Sequence, residues 1–147
     1  MGKAHSLLTE SRWRSVSLQS LIEEELEQFS RSGIAMGGPT ILLTPKAALV
    51  LSLAVHELAT NASKYGALSV DSGKVAIRWR KTGDGGTELH WIETGGPAVH
   101  KPRRRGFGST LVERALAIET GGEARIDYLP TGVQCVVSLP YSSIIDP

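Results

Sequence analysis

The chain contains a single cysteine, Cys135, among its 147 residues. A lone cysteine cannot form an internal disulfide, and a zinc site needs further ligands, so neither can be the basis of the fold. Because Cys135 lies in the apolar stretch VQCVVSL, we predict that it is a small buried core residue. The missing disulfide framework favours a reducing compartment.

Long apolar runs and an excess of charge of one sign are also missing. No stretch is long and apolar enough to span a bilayer, and the N-terminal MGKAHSLLTE lacks the apolar core of a signal peptide. The formal net charge is +1, which gives no bulk electrostatic case for nucleic acid or for an anionic membrane. We therefore expect no nucleic-acid partner and no membrane contact by this segment. The one local basic cluster, Arg103–Arg105, is suited to meeting an anion.

The remaining composition is that of an ordinary globular domain, with 41% apolar and 21% charged residues. Apolar spacing and capping residues predict three helices. Ser17 caps the first, and Thr44 and Pro45 begin the second, which ends near Tyr65 with Gly66 as its stop. The predicted helices span residues 18–29, 45–65 and 108 or 109 to 120.

The second predicted helix is the most apolar. Its stripe is centred on Leu51, Ala54, Leu58 and Ala62. Leu49 and Leu53 widen this stripe, so we expect the first half of the helix to be buried almost all round.

Alternating apolar residues and turn signals predict the strands. The predicted strands span residues 40–43, 74–80, 87–93, 123–129 and 133–140. Strands in adjacent pairs, separated by helices, predict an α+β fold: a two-layer α/β sandwich with helices on one face of a mixed, mostly antiparallel sheet. Residues 94–107 have no periodicity and are predicted to form a long loop.

Three polar residues of the long helix, Glu57, Asn61 and Lys64, have the spacing i, i+4 and i+7, which places them on one stripe. An amide oxygen is a hard ligand for Mg²⁺, a carboxylate holds a metal-bound water or accepts a proton, and an ammonium neutralises phosphate oxygen. The alternative is a solvated polar edge with a Glu–Lys pair. The pattern alone does not separate the two interpretations.

Two glycine-containing segments add to this pattern. In WIETGGP, residues 91–97, Glu93 can accept a hydrogen bond from an exocyclic amine, and the glycines let backbone approach a flat ring. In RRRGFGSTL, residues 103–111, Gly106 and Gly108 precede a helix whose free N–H groups favour an anion. Taken singly, the first is best explained as a strand end, and a lone G-x-G is weak evidence. A phosphate-loop motif ending in Gly-Lys-Ser/Thr is absent.

The order of these segments resembles the ATP-binding domain of sensor histidine kinases, which share the Bergerat-type fold with gyrase, Hsp90 and MutL. The HWE subfamily is the most similar, because its signature histidine corresponds to His56 in HELATNASKYGALS and its Trp-x-Glu to Trp91 and Glu93. RRGFGSTLVERAL resembles the subfamily's G2 box. The resemblance covers residues 44–140 and extends upstream through LLTESRW. It implies that residues 1–14 are the tail of an upstream dimerisation hairpin and residues 15–147 the catalytic domain.

The resemblance also implies a role for each residue. Asn61 would ligate Mg²⁺, and Glu57 would be the catalytic acidic partner that positions a metal-bound water or the acceptor. Lys64 would contact phosphate. Glu93, where most relatives have Asp, would accept from the adenine amino group. The other nucleotide-binding residues would be Tyr65 on the adenine or sugar, Gly95 beside the base, Gly106 and Gly108 with Phe107 between them at the phosphates, and Ser109 and Thr110 as hydroxyl donors.

Two further implications concern the loop and the histidines. Residues 94–107 would be the ATP lid, shorter than in many relatives and without a clear phenylalanine box. His56 lies about 100° around the helix from Glu57, so we predict a structural, hydrogen-bonded position beneath the site. His56→Ala should then weaken nucleotide binding or stability more than it alters chemistry at saturating ATP. Neither His5, His90 nor His100 is expected to be the phosphoacceptor, so the chain should bind ATP·Mg²⁺ without labelling itself.

The expected function is transfer of the ATP γ-phosphoryl group to a histidine on a dimerisation helix absent from this chain. From that histidine the group would pass to the aspartate of a response regulator receiver domain, in the bacterial cytoplasm. The full-length protein is either free there or membrane-attached. One alternative is an anti-sigma-factor-like serine kinase or ATPase of the same superfamily, against which Trp91 and Glu93 argue. Another is a non-catalytic nucleotide-binding module, against which the intact Glu57, Asn61 and Lys64 argue. A plain interaction domain would bind no nucleotide.

Overall fold

The computed structural model describes residues 16–29, 32–98 and 107–145, with the backbone alone for 107–111. Within these ranges there are three helices, α1 (Leu18–Leu26), α2 (Pro45–Tyr65) and α3 (Phe107–Thr120). The strands are β1 (Val16–Ser17), β2 (Ile34–Gly37), β3 (Leu42–Leu43), β4 (Lys74–Lys81), β5 (Thr87–Thr94), β6 (Glu123–Leu129) and β7 (Gly132–Leu139). Single 3-10 turns follow α2 and β7 at Ala67–Ser69 and Tyr141–Ser143.

Five strands form one sheet in the order β2-β4-β5-β7-β6, while β1 and β3 form a separate two-stranded ribbon. The β2–β4 pair is parallel and the other pairs of the five-stranded sheet are antiparallel. Helix α2 lies between α1 and α3 and contacts both. The inward residues of the sheet and the apolar faces of the helices belong to one core. The predicted two-layer sandwich with a mixed, mostly antiparallel sheet is therefore confirmed.

Helix α2 begins and ends where the capping residues predict. Thr44 Oγ1 accepts a hydrogen bond from the Ala47 N–H at 3.2 Å, and Pro45 occupies the first turn. Gly66 follows the last helical residue with φ of −119°, so it does not adopt the left-handed conformation usual after a helix. A glycine is needed there for space, because a Cβ at this position would collide with Glu93 Oε1.

Burial of α2 follows the prediction on one side only. Leu51, Ala54 and Ala62 are at most 3% exposed and Leu58 is 8% exposed, which confirms the predicted stripe. Leu49 and Leu53 are 51% and 50% exposed, so the expectation that they widen a stripe buried almost all round is wrong. The neighbouring helices and the sheet cover the apolar stripe and leave Leu49 and Leu53 open to solvent.

The N-terminal part differs most from the prediction. Ser17 caps α1 by accepting from the Ser20 N–H at 3.4 Å, but α1 ends at Leu26 rather than at Phe29. Phe29 lies beyond the helix end and still packs against the core. The structure contains β2, which was not predicted, and confines the strand predicted at 40–43 to β3.

The buried position of Cys135 agrees with the sequence. Cys135 is 3% exposed on β7, as predicted, and burial, with smaller contributions from Glu113 and Asp127, raises the pKa of its thiol to about 12. In the part of the chain that the structure describes, no helix combines the length and the apolar character needed to cross a membrane.

Candidate functional site

A cleft lies between α2 and α3 above β6 and β7. Its residues are Ala54, Glu57, Leu58, Asn61, Val112, Glu113, Ala124, Ile126, Cys135 and Val137. Its deepest residues are apolar, while Glu57 is half-buried and Asn61 is exposed. The cleft therefore presents a carboxylate and an amide at the edge of an apolar floor.

The structure brings two of the three predicted polar residues of α2 to this cleft. Glu57 and Asn61 line it one helical turn apart, and Lys64 lies in the next turn, exposed and outside the lining. Tyr65, the last residue of the helix, is 73% exposed and also lies outside the lining. The predicted stripe is therefore one continuous edge of α2, of which the first two members face the cleft.

The buried carboxylate of Glu93 lies at the C-terminal end of the same helix. Its Oε1 accepts a hydrogen bond from the Ala67 N–H at 3.0 Å, and its Oε2 accepts one from the Trp91 indole N–H at 2.9 Å. Glu93 is 4% exposed. Burial raises its pKa, and the hydrogen bonds from Ala67 and Trp91 lower it in part. Such a perturbed, buried acid is a candidate for function.

Glycines surround the Glu93 carboxylate and its backbone partner. A Cβ on Gly66 would collide with Glu93 Oε1, and one on Gly96 would lie 2.8 Å from Ala67 Cα. Gly95 has φ of +72°, and its carbonyl accepts a hydrogen bond from Ser72 Oγ at 2.8 Å. The backbone conformation of Gly95 therefore requires a glycine independently of any ligand.

These two regions are linked by α2. Glu57 and Gly66 are nine positions apart, which is about 13 Å along a helix axis.

The glycine-rich segment lies mostly outside the described residues. Gly106 and the basic cluster Arg103–Arg105 are among the residues that are not described. Phe107, Gly108, Ser109 and Thr110, described by backbone only, form the first turn of α3, which begins one residue earlier than predicted. Amide N–H groups of a first helical turn have no partner within the helix, so this turn is a potential anion site.

His56 contacts α1 and lies beside the helix pair rather than beneath the cleft. Its Nδ1 is 3.5 Å from Glu25 Oε1 and 3.3 Å from Gln28 Nε2, and its ring meets that of Phe29 edge-on at 6.4 Å. The predicted structural, hydrogen-bonded position is found, but its location beneath the site is wrong. The cause is the rotation of about 100° per residue, which turns His56 towards α1 while Glu57 faces the cleft.

The sequence did not identify the partners of Glu93. The pattern predicts Trp91 as a signature residue without predicting its contact, and it gives no role to the Ala67 backbone N–H. Residues i and i+2 of a strand share one face, so the Trp91–Glu93 contact was open to prediction from the alternation of β5. Glu113 of α3, a further carboxylate in the cleft, was also missed.

The available donors fit Mg²⁺ held together with a ligand rather than by the protein alone. Among the described residues no group of three or more His, Cys, Asp or Glu side chains is arranged to hold a metal. Mg²⁺ commonly keeps several waters and is bound through one or two protein oxygens plus substrate phosphates. Asn61 and Glu57 at the open cleft edge suit that arrangement.

No protein-family model matches the chain. The chain is similar to the blue-light-activated histidine kinases of Brucella anthropi (33% identical) and Brucella ovis (34% identical), and each match covers 100% of this chain and 31% of the relative. The chain therefore spans about a third of the length of these curated relatives.

Solved structures show the same fold. The histidine kinase domain of the Erythrobacter litoralis blue-light-activated kinase EL346 has a TM-score of 0.69 at 20% identity, covering 85% of this chain and 59% of that one. The mycobacterial sensor histidine kinase MprB has a TM-score of 0.67 at 21% identity, covering 86% and 97%. The catalytic domain of histidine kinase ThkA has a TM-score of 0.63 at 15% identity, covering 86% and 95%. At these identities the likeness establishes the fold, while the curated relatives carry the family relationship.

Proposed function

Since the chain belongs to the histidine kinase family, we propose that it is the ATP-binding catalytic domain of a sensor kinase, of the HWE subfamily, and that it delivers the γ-phosphoryl group of ATP to a histidine. The observation that carries the proposal is that Glu57 and Asn61 line one cleft beside the first turns of α3. The signature residues His56, Trp91 and Glu93 support the subfamily assignment.

The polar edge of α2 provides the groups for the triphosphate. The Asn61 amide oxygen would hold Mg²⁺, which spreads the charge of the phosphate chain when it is bound. Lys64 would neutralise a phosphate oxygen as a point charge, and the amide N–H groups of Gly106, Phe107 and Gly108, with the hydroxyls of Ser109 and Thr110, would complete the anion site. Most of the catalysis would be positioning and electrostatics.

Glu57 would act on the acceptor. Its half-buried carboxylate at the cleft edge would orient the acceptor imidazole or a metal-bound water and take up a proton from it. Glu113 faces the same cleft from α3, which places a second carboxylate close to this position.

The base would bind at the other end of α2. Glu93 would accept a hydrogen bond from the adenine amino group, Gly95 would leave room for the ring, and Tyr65 would pack on the adenine or the sugar. The exposed position of Tyr65 beside Gly66 supports this assignment. A lid formed by residues 94–107 would cover the nucleotide.

The phosphoacceptor histidine would be supplied by the kinase's own dimerisation helices, and the aspartate of a response regulator receiver domain would receive the group next, in the bacterial cytoplasm. Two histidines of the described residues support an external acceptor. His56 contacts Glu25 of α1. His90 lies on the opposite face of β5 from Trp91, with its Nε2 2.8 Å from Glu88 Oε1.

The test is a transfer assay with γ-labelled radioactive ATP and Mg²⁺, using the chain with and without a separately produced dimerisation hairpin of the kinase. We expect acid-labile label on the hairpin and none on the chain. Glu57→Gln should lower the transfer rate by about 10²- to 10⁴-fold, the usual contribution of a general base, with little change in ATP affinity. Glu123→Gln, on the exposed part of β6, is the matched control.

Other results would favour the alternatives. Label that survives acid would indicate a serine kinase of the anti-sigma-factor type. ATP binding without label on any acceptor would indicate a non-catalytic nucleotide-binding module. Failure to bind ATP would leave only an interaction domain.

A further inference from the structure

The two residues that hold the Glu93 carboxylate are on different elements. The Trp91 indole N–H reaches Oε2 along β5 at 2.9 Å, and the Ala67 amide N–H reaches Oε1 from the turn after α2 at 3.0 Å. Trp91 is 1% exposed, so its ring is fixed by core packing. Both oxygens of the carboxylate are therefore oriented by donors that cannot rotate away.

We propose that Trp91 is a positioning residue for base recognition: with the Ala67 N–H, it fixes the Glu93 carboxylate as an acceptor that selects a 6-aminopurine over a 6-oxopurine. The inference rests on the proposed ATP site and deepens it. An ionised carboxylate has about four lone-pair positions and no donor. Two are used by the protein, so the remaining ones attract an exocyclic N–H and repel a carbonyl oxygen.

The other buried tryptophan among the described residues, Trp79, shows what a purely structural indole does. Trp79 on β4 is 4% exposed and donates its N–H to the Pro39 carbonyl oxygen at 2.7 Å. Trp79 thus satisfies a neutral backbone group, whereas Trp91 donates to a buried acid. Burying an acid costs free energy unless it is well paired, so its retention beside an indole donor favours a functional reason.

The Glu93 carboxylate packs against Gly66 and accepts hydrogen bonds from two neutral N–H donors. Gly66 has no Cβ, and a Cβ there would collide with Oε1. No charged side chain of the described ranges contributes to the pKa of Glu93, which is raised by burial and lowered by the Ala67 and Trp91 hydrogen bonds. The neutral N–H donors therefore control the acceptor, without a competing counter-ion.

The test compares Trp91→Phe with Trp79→Phe in the complete chain. The quantity measured is the ratio of the Kd for inosine triphosphate to the Kd for ATP, which is insensitive to a partly unfolded fraction. We expect the ratio to fall about tenfold in Trp91→Phe, the typical effect of a lost hydrogen bond to a charged group, and to stay within about twofold in Trp79→Phe.

Two further readouts separate positioning from packing. In a Glu93→Gln background, Trp91→Phe should not change the ratio further, because its effect acts through the carboxylate. Removing the Trp91 donor should also raise the pKa of Glu93, so the loss of ATP affinity on acidification should begin at a higher pH in Trp91→Phe than in Trp79→Phe. If Trp91→Phe does not fold, benzothienylalanine at position 91 keeps the ring shape and replaces the N–H by sulfur.

Several results would overturn the inference. It is wrong if Trp91→Phe or its benzothienylalanine equivalent keeps the wild-type ratio, or if Trp79→Phe lowers the ratio equally. These outcomes leave the proposed ATP site intact. If the wild-type chain binds neither nucleotide, the proposed function fails, and the inference fails with it.

Discussion

His56 Nδ1 lies 3.5 Å from Glu25 Oε1, so the histidine of α2 joins the two helices α1 and α2. The side chain is about half exposed, and Gln28 and Phe29, which follow α1, complete its contacts on this side. Burial raises the pKa of Glu25, and the charge and hydrogen bond of His56 lower it again in part. The contact therefore supports an ionised Glu25 at the helix interface, away from the residues that line the cleft.

Replacing His56 with Ala should reduce stability and leave ATP affinity unchanged. We expect a loss of about 0.5–1 kcal/mol in the free energy of unfolding, the upper range for an exposed ion pair. Only ionised Glu25 gains from His56, so the loss should disappear as the pH falls through the raised pKa of Glu25. Urea unfolding at several pH values measures both quantities.

The control for this variant is His90→Ala, whose imidazole meets Glu88 on the sheet rather than a helix interface. A change in ATP affinity of more than about tenfold in His56→Ala, with unfolding unaffected, would mean that His56 takes part in the site.

Gly66→Ala should disturb the Glu93 carboxylate directly. The new Cβ would collide with Glu93 Oε1 and approach Ala62 Cα at 3.1 Å, so the carboxylate must move from the Ala67 N–H. We expect a loss of about 1–3 kcal/mol in stability, typical of overpacking, together with weaker ATP binding. Thermal unfolding and nucleotide titration measure the two effects.

Gly83→Ala is the matched control, because a Cβ there meets nothing within 4 Å. It should change stability by no more than about 0.5 kcal/mol. Equal effects of the two alanines would show that Gly66 is not packed against the carboxylate.

Cys135 should be unreactive in the folded chain. Only the thiolate reacts, and burial raises the pKa of this thiol to about 12, so almost none is ionised at neutral pH. Labelling by a thiol reagent should be slower by about two to three orders of magnitude in the native chain than in denaturant. As Cys135 is the only cysteine, mass spectrometry reports its modification without ambiguity. Comparable rates in both conditions would contradict its burial on β7.

The elements that could be predicted carry local signals. The start of α2 follows from Thr44 and Pro45, which act within one turn, and β4 and β5 follow from residues that alternate between core and solvent. Strand β2 has no such signal. It has four residues, none fully buried, and it forms because β4 is beside it in parallel register. Its pairing therefore depends on a partner some forty residues away.

The candidate site likewise has a part that follows from local sequence and a part that depends on tertiary packing. The stripe of Glu57, Asn61 and Lys64 follows from helical spacing, whereas the cleft that accepts only the first two depends on where α3 packs. The Ala67 donor to Glu93 joins residues 26 positions apart. Sequence periodicity does not predict this donor, because the Ala67 N–H becomes available only where α2 has ended at Gly66.

The most direct test of the account is a calorimetric titration of the chain with ATP, with and without Mg²⁺, compared with Asn61→Ala and Ser63→Ala. Both residues are exposed on α2, but only Asn61 lines the cleft. The wild-type chain and Ser63→Ala should bind ATP more tightly when Mg²⁺ is present. With Mg²⁺, Asn61→Ala should bind ATP at least about tenfold more weakly than the wild-type chain, a difference of about 1.4 kcal/mol. Absence of binding heat in the wild-type chain, or a full Mg²⁺ gain in Asn61→Ala, would contradict the assignment of this cleft to ATP·Mg²⁺.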